Sequence, residues 1–212
     1  EIKEWAASPS YYRKRTLLRI LPIAVTVINF LCISLAILGI ISANIAGGVF
    51  VSFVLFSTIF SKGITKLQTT YGEKLQVLST YADQILLTEQ KEMHSHILQE
   101  LKADLTSQNQ TASQAVRQLS KLMNALDQRS NLLMSTILNG LIFWELRQVM
   151  RIEKWKEIHA SDLPRWIETI GEIDAYCSLA TFAYNHPDYI YPTIAAQSFH
   201  LQAEALGNPL MD

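Results

Sequence analysis

The stretch that decides the fold runs from Ile20 to Phe60 and reads ILPIAVTVINFLCISLAILGIISANIAGGVFVSFVLFSTIF, with no charged side chain between Arg19 and Lys62. Two apolar runs, residues 20–41 and 49–60, flank a segment of small residues that is typical of a turn. As a helix, the first run would be about 33 Å long, close to the roughly 30 Å hydrocarbon core of a bilayer. The second run, counted from about Ile45, would be near 25 Å. We therefore predict a hairpin of two apolar helices.

Positive charges flank this hairpin, while its predicted turn at residues 42–48 carries none. The flanking cations are Arg13, Lys14, Arg15, Arg19, Lys62 and Lys66. Because loops rich in Lys and Arg stay on the cytoplasmic side of a membrane, this pattern predicts a membrane hairpin with both ends cytoplasmic. Tyr11 and Tyr12 lie where an interfacial aromatic belt would fall. The predicted localisation is membrane-associated, with the soluble part in the cytoplasm.

The same stretch has an alternative interpretation as two core helices of a large soluble helical bundle. Core helices can also be apolar on all sides. Pro22 and Asn29 favour this alternative because they are poorly suited to lipid exposure. In that case the protein would be cytoplasmic.

Composition favours a helical chain in a reducing compartment. Gly and Pro are scarce, and strong helix formers are plentiful outside the hairpin. The formal net charge of -1 gives no general electrostatic reason to bind nucleic acid. Cys32 and Cys177 are too few and too scattered for a disulfide framework. The chain opens on Glu1 without a signal-peptide pattern, which suggests a piece of a longer protein.

From Ile64 onward, apolar residues recur at steps of three and four, so the second apolar helix is expected to continue as a long amphipathic lever helix to about Leu87. A shorter helix is predicted over residues 89–105. We assign residues 1–105 to a first domain, made of the hairpin and the lever helix.

Residues 106–188 are predicted to form a helical connector or core domain. Its helices are expected to end near Asp127, to run over residues 132–158, and to run from the Ser161–Asp162 cap to just before Asn185. Residues 189–212 are predicted to be extended, with an alternating run at Phe199, Leu201 and Ala203, and to form the strand-bearing start of another domain. The predicted fold class is all-α: a long-helix lever with an apolar hairpin, a helical core bundle and a short extended C-terminal tail.

Residue types that carry chemistry are present but not grouped. His94 and His96 are two residues apart, so on a helix they point to different faces, whereas a helical zinc pair needs a spacing of three or four. The other histidines are expected at the surface or at helix caps; they are His159, His186 and His200.

Carboxylates on a late amphipathic helix predict its solvent-facing side; they are Glu168, Glu172 and Asp174. No Ser, Cys or Lys lies in a recognisable nucleophile setting, and neither a G-x-x-x-x-G-K-[ST] loop nor a G-x-G-x-x-G turn occurs. The tryptophans at 144, 155 and 166 have the spacing of a helical core. We therefore predict no catalytic residue, metal ligand or cofactor site in this chain, which is not itself an enzyme.

The last third of the chain carries a family resemblance in a series of short segments. These are LDQRSN at 126–131, LNGLIFW at 138–144, EKWK at 153–156, EIDAYCSLA at 172–180, YIYPTI at 189–194 and ALGNPL at 205–210. In this order they resemble the helical core that precedes the ATPase domain in the MutS family of DNA mismatch-repair proteins. The resemblance is strongest to the membrane-associated MutS-related branch. It covers residues 119–211, and the hairpin only by general character.

The resemblance implies a helical connector that links a dimeric ABC-type ATPase to lever tips. Its partners would be its own downstream ATPase domain and a second copy of the protein, with ATP and Mg²⁺ bound by the parent protein. No ATP-site residue can be carried over, because the chain ends at Asp212, before such motifs would begin. The domain junction would involve Tyr189, Pro192, Gly207, Asn208 and Pro209. Asn208 departs from the family, which usually has His before Pro-Leu.

The function expected from these observations is that of a non-catalytic lever. It would transmit ATP-driven changes to a hairpin inserted in a membrane or bound by a partner, since packed helices move as units. DNA binding by the parent protein stays open. The alternative is a membrane-anchored helical scaffold or adaptor unrelated to an ATPase.

Overall fold

The structure is a computed structural model that describes residues 2–106, 110–127, 131–194, 201–203 and 207. These residues form helices, and apart from one isolated bridge between Thr106 and Thr111 no strand occurs among them. The all-α prediction is confirmed. The helices are α1 (Ile2–Ala7), α2 (Thr16–Ile37), α3 (Ala43–Gln90), α4 (His96–Asp104), α5 (Ala112–Asp127), α6 (Leu132–Ile142), α7 (Trp144–His159) and α8 (Leu163–Asn185).

The predicted hairpin is formed by α2 and the first part of α3, but its turn lies elsewhere. The connection covers residues 38–42, so Gly47 and Gly48 belong to the first turns of α3. Gly39 ends α2 because it adopts a left-handed φ of 73°, which glycine alone adopts at no steric cost. Its N–H donates to the Ala36 carbonyl at 3.1 Å. The prediction of a turn at residues 42–48 is wrong, since α3 already begins at Ala43. Small residues can adopt helical backbone angles as well as those of a turn.

The lever helix is confirmed as one continuous element. At a rise of about 1.5 Å per residue, the 48 residues of α3 extend about 72 Å. The helix passes through Gly72 without a break and ends at Gln90, three residues beyond the predicted end. It packs on α2 and α6 near its start and on α5 farther along, so a single helix connects the hairpin with the helical core.

The core lies where α5, α7 and the start of α8 meet. Trp155 and Trp166 are buried there, as their spacing predicts, whereas Trp144 is only half-buried. The indole N–H of Trp155 donates to the Ala115 carbonyl at 2.8 Å. The short helix α1 also joins this core. Its Trp5 stacks on Trp155 with ring centroids 6.3 Å apart, a role that the sequence did not indicate.

The helix predicted over residues 89–105 is shorter than expected, since α4 begins only at His96. Glu89 belongs to α3, and its carboxylate accepts the Ser113 N–H at 2.9 Å, where it satisfies one of the free donors at the start of α5. Lys91 ends α3 in an extended conformation, and its carbonyl accepts a bond from the Lys102 ammonium. These contacts join residues that are not neighbours in the sequence, so no local pattern indicates that α3 ends at Gln90 and that α4 begins only at His96.

The single helix predicted over residues 132–158 is instead two helices, α6 and α7. Phe143 separates them with a left-handed φ of 50°, and the Asn139 side chain accepts the Glu145 N–H at 3.0 Å to cap α7. Such a conformation is costly for a bulky residue. Burial of the Phe143 ring offsets this cost, because the ring packs edge-on against three aromatic rings of α3, those of Phe53, Phe56 and Phe60.

Gly140 marks the closest approach of α6 to α3. A Cβ atom built at Gly140 would lie 2.6 Å from Cγ2 of Val54 and even closer to the ring of Phe50. We expect Gly140→Ala to lower the free energy of unfolding by about 1–3 kcal/mol, because the added methyl group overpacks this contact. Urea unfolding in mild detergent measures the change.

The matched control is Gly171→Ala in α8, where a Cβ atom would meet nothing within 4 Å. This substitution should leave stability unchanged or raise it by up to about 1 kcal/mol, because alanine favours the helix. Equal effects of the two alanines would contradict the packing of α6 on α3.

The chain divides into two compact units, residues 1–173 and 174–212. This division differs from the predicted boundaries at 105/106 and 188/189, and the three-domain assignment stays a prediction. In the second unit, the His186 and Tyr189 rings stack with centroids 4.8 Å apart. Residues 189–194 and 201–203 form no strand, and Phe199 of the predicted alternating run lies outside the described residues.

Candidate functional site: the apolar hairpin and its basic base

The hairpin exposes most of its apolar side chains. Thr16–Ile37 and Ala43–Ser61 are long and apolar enough to cross a membrane by length and composition. Of the most apolar 18-residue stretch in each, only 17% and 6%, respectively, is buried. The exposed side chains occur along the length of both segments and include Leu17, Ile23, Val27, Leu31, Val51, Leu55 and Ile59. The later helices therefore do not enclose the hairpin, in contrast with the bundle-core alternative.

The residues that favoured a soluble core face inward. Asn29 is buried, and its side-chain amide donates to the carbonyls of Gly140 at 2.9 Å and Leu141 at 3.2 Å. Carbonyls in the last turn of a helix lack intrahelical donors, so Asn29 satisfies the end of α6. Pro22 is buried on the same side of α2. Both residues are thus compatible with a hairpin whose outer side is apolar.

The predicted flanking cations occupy different environments at the base of the hairpin. Arg13 forms an ion pair with Glu157 at 2.7 Å, and the Arg15 guanidinium lies 4.7 Å from the centroid of the Tyr11 ring. Lys14 and Arg19 are exposed. The remaining two, Lys62 and Lys66, lie on α3, with side chains outside the described part of the structure.

The predicted aromatic belt is only half present. Tyr11 is exposed, but Tyr12 is buried against α3, with its hydroxyl beside Gly63. Burial raises the pKa of the Tyr12 phenol, and the neighbouring Tyr11 and Glu153 add to this effect. The prediction for Tyr12 is wrong because the segment before α2 folds back onto the core.

Three further cations, on α7, lie at this base and were not among the residues predicted from the sequence. Together with Arg13 and Arg19 they line a cavity of about 250 Å³, which we call the basic pocket; they are Arg147, Arg151 and Lys154. Their spacing of four and three residues places them on one face of α7, a signal that the sequence contains. The sequence does not indicate that this face of α7 lies against the start of α2.

Hydrogen bonds hold the Arg147 side chain against the N-terminal half of α2. Its Nη2 donates to the Pro22 carbonyl at 2.9 Å and to Oγ1 of Thr26 at 2.7 Å, while its Nε donates to the Ile142 carbonyl at 2.8 Å. In contrast, Arg19, Arg151 and Lys154 form no ion pair with any residue in the described ranges. Their charges are available to a ligand.

A buried carboxylate fixes the segment that leads into α2. Glu153 accepts the backbone N–H groups of Tyr11 at 2.8 Å, Tyr12 at 3.1 Å and Arg13 at 2.6 Å. The Lys156 ammonium donates to the Ser8 carbonyl at 2.8 Å. The residues EKWK at 153–156 thus hold the N-terminal segment, including Arg13 of the basic pocket, against α7.

The prediction of a surface or cap role for His159 is wrong. Its ring is buried between Trp155 and Trp166, with centroid distances of 4.9 and 5.6 Å, and its Nε2 lies 2.9 Å from Nε2 of Gln110. Burial lowers the pKa of His159, and the Asp162 carboxylate opposes this effect. Packing between two helices buries this residue, which the sequence alone places at the end of one helix.

A lowered pKa makes stability depend on pH in a defined direction. An unfolded histidine binds a proton near pH 6.5, whereas the buried His159 binds one only at lower pH. Acidification below about pH 6.5 therefore favours the unfolded chain, and the contribution of neutral His159 to stability is complete only above that pH. We expect the urea midpoint to fall as the pH decreases from 7 to 5, and to fall less in His159→Phe. An equal decrease in native protein and variant would contradict burial of His159.

The other residues selected from the sequence do not come together. Glu168, Glu172 and Asp174 are exposed, as expected. In the part of the chain that the structure describes, no three His, Cys, Asp or Glu side chains are grouped as metal ligands would be. Of the predicted junction residues, Tyr189 packs on His186, and Pro192 and Gly207 lie outside the helices; the other two, Asn208 and Pro209, lie outside the described residues.

Fold and site together define an all-α protein with an exposed apolar helical hairpin and a cluster of cations at its base. No protein-family model, curated protein or solved structure matches the chain. The resemblance to the MutS family therefore stays a prediction.

Proposed function

We propose that this chain is a membrane-anchored helical connector whose hairpin, α2 with Ala43–Ser61, inserts in a lipid bilayer. The observation that carries the proposal is the exposed apolar surface of the hairpin, which extends along both of its helices. Soluble monomers rarely expose large contiguous apolar patches to water. The inward-facing Asn29 supports insertion further, because it leaves no unsatisfied amide on the outer side. The cations at the base would lie at the cytoplasmic surface.

The connector is proposed to act as a lever. The helix α3 continues from the hairpin into the core without a break and packs along α5, so a displacement at one end is transmitted to the other. The resemblance to MutS proteins suggests an origin for that movement, namely a downstream ATPase domain that binds ATP and Mg²⁺ and dimerises. Exposed apolar side chains in residues 174–212, among them Leu179 and Ile190, offer a surface that such a domain could cover.

Flotation with lipid vesicles tests the membrane anchor. The native chain, purified in detergent and reconstituted, is expected to float with phosphatidylcholine vesicles and to resist extraction at alkaline pH. A chain that stays monomeric in water without detergent, or that alkali releases, would contradict insertion.

The link to an ATPase has a separate test. A coding sequence that continues beyond Asp212 into a G-x-x-x-x-G-K-[ST] loop would support the lever, whereas a stop codon there would favour the membrane-anchored scaffold. Titration with duplex DNA tests the nucleic-acid role of this region. Affinity that is absent, or independent of salt, would exclude it.

A further inference from the structure

We propose that the basic pocket binds the phosphate of an anionic phospholipid headgroup at the membrane surface. This inference deepens the proposed membrane function and rests on it. The pocket gathers five cationic side chains from two segments that are far apart in sequence: Arg13 before α2 and Arg19 in its first turn, and Arg147, Arg151 and Lys154 on α7. Among the described residues, no carboxylate lines it.

The positive charges in the pocket are only partly compensated within the protein. Glu157 neutralises Arg13, but Arg19, Arg151 and Lys154 have no acidic partner among the described residues. Burial lowers the pKa of Arg147, and the positive charge of Arg151 lowers it further. A bound anion would relieve this repulsion, and guanidinium groups suit phosphate because they can donate two parallel hydrogen bonds.

The location of the pocket favours a lipid over free phosphate. In the described part of the chain, the other residues that line it are apolar, namely Pro22, Ile23 and Met150. Ile23 belongs to the exposed apolar surface of α2, which continues through Val27 toward the hairpin tip. A phospholipid with its phosphate in the pocket could therefore lay its acyl chains along this surface, whereas a free phosphate would leave the apolar wall unused.

Arg147 is prepared for this role before any ligand binds. Its bonds to Pro22, Thr26 and Ile142 fix the guanidinium at the level of the first turns of α2, so little side-chain entropy is lost when an anion arrives. Glu153 similarly fixes the backbone of Arg13. The side chains of Arg151 and Lys154 are exposed and complete the pocket.

The test is the unfolding temperature of the whole chain in a zwitterionic detergent, titrated with dioctanoyl phosphatidylglycerol, dioctanoyl phosphatidylcholine or inorganic phosphate. We expect saturable stabilisation by phosphatidylglycerol only. In Arg151→Gln with Lys154→Gln, the apparent affinity should fall about 25-fold, since each cation near an anionic lipid contributes about fivefold.

The control is Lys91→Gln with Lys121→Gln, which removes the same charge from exposed positions outside the pocket. Its affinity should stay within about twofold of the native value, because distant exposed charges are screened. Equal stabilisation by both lipids, an equal effect of inorganic phosphate, or equal losses in both double variants would each overturn the inference. Because the titration is carried out in detergent, it measures lipid binding by the pocket even if the chain does not float with vesicles.

Discussion

Lysine in the middle of both apolar helices is expected to abolish stable membrane insertion. Val27 and Val51 lie near the centres of the two segments, with exposed fractions of 59% and 52%, so Val27→Lys and Val51→Lys place charges on the outer side of the hairpin without disturbing its packing. A lysine at the centre of an inserting helix costs about 2.5–3.5 kcal/mol, so the pair should cost about 5–7 kcal/mol. Synthesis in the presence of membranes, followed by alkaline extraction, measures the inserted fraction.

Matched lysines outside the hairpin serve as the control. Ile97 on α4 and Ile158 on α7 are exposed to a similar degree, 52% each, and Ile97→Lys with Ile158→Lys should leave the inserted fraction unchanged. If the valine and isoleucine variants lose insertion equally, or if neither loses any, the hairpin is not the membrane anchor.

Removal of the Glu153 carboxylate is expected to release the segment that precedes α2. In Glu153→Ala, three backbone N–H groups, those of Tyr11, Tyr12 and Arg13, lose a charged acceptor that is itself buried. Hydrogen bonds to charged groups contribute about 1.5–3 kcal/mol each and do not add fully, so we expect a loss of about 3–5 kcal/mol in the free energy of unfolding. Urea unfolding in mild detergent, followed by tryptophan fluorescence, measures it.

The neighbouring Glu157 provides a control on the same helix. It forms an ion pair with Arg13 but is 39% exposed at its side chain, so Glu157→Ala should cost no more than about 1 kcal/mol. Glu153→Gln, which keeps the shape and one acceptor oxygen, should fall between the two alanines. A Glu153→Ala variant as stable as Glu157→Ala would show that the N-terminal segment does not depend on this carboxylate.

The sequence predicted those elements whose signal is local and repeated. The charge-free stretch predicted two helices, the steps of three and four after Ile64 predicted the continuation of α3, and the tryptophan spacing predicted that Trp155 and Trp166 lie in the core. Each prediction rests on many residues that share one period, so single exceptions such as Gly72 do not change the result.

Elements set by one residue or by distant partners were not predictable. The break at Phe143 interrupts an apolar period that itself continues, and it is stable only because three rings of α3 surround that side chain. The contact of His159 with Gln110 joins residues 49 positions apart, and the bonds of Glu153 join residues about 140 positions apart. Nothing in the local sequence identifies such partners.

The sequence by itself determined that the chain is helical, that two of its segments can match a bilayer, and where many of its cations lie along the chain. Only the tertiary structure decided which side of the hairpin is apolar and exposed, that Asn29 faces α6, and that the cations of α7 lie beside those before and in the first turn of α2. The reason is physical. Helical period and hydropathy are properties of neighbouring residues, whereas exposure and shared electrostatic environment depend on which helices pack together.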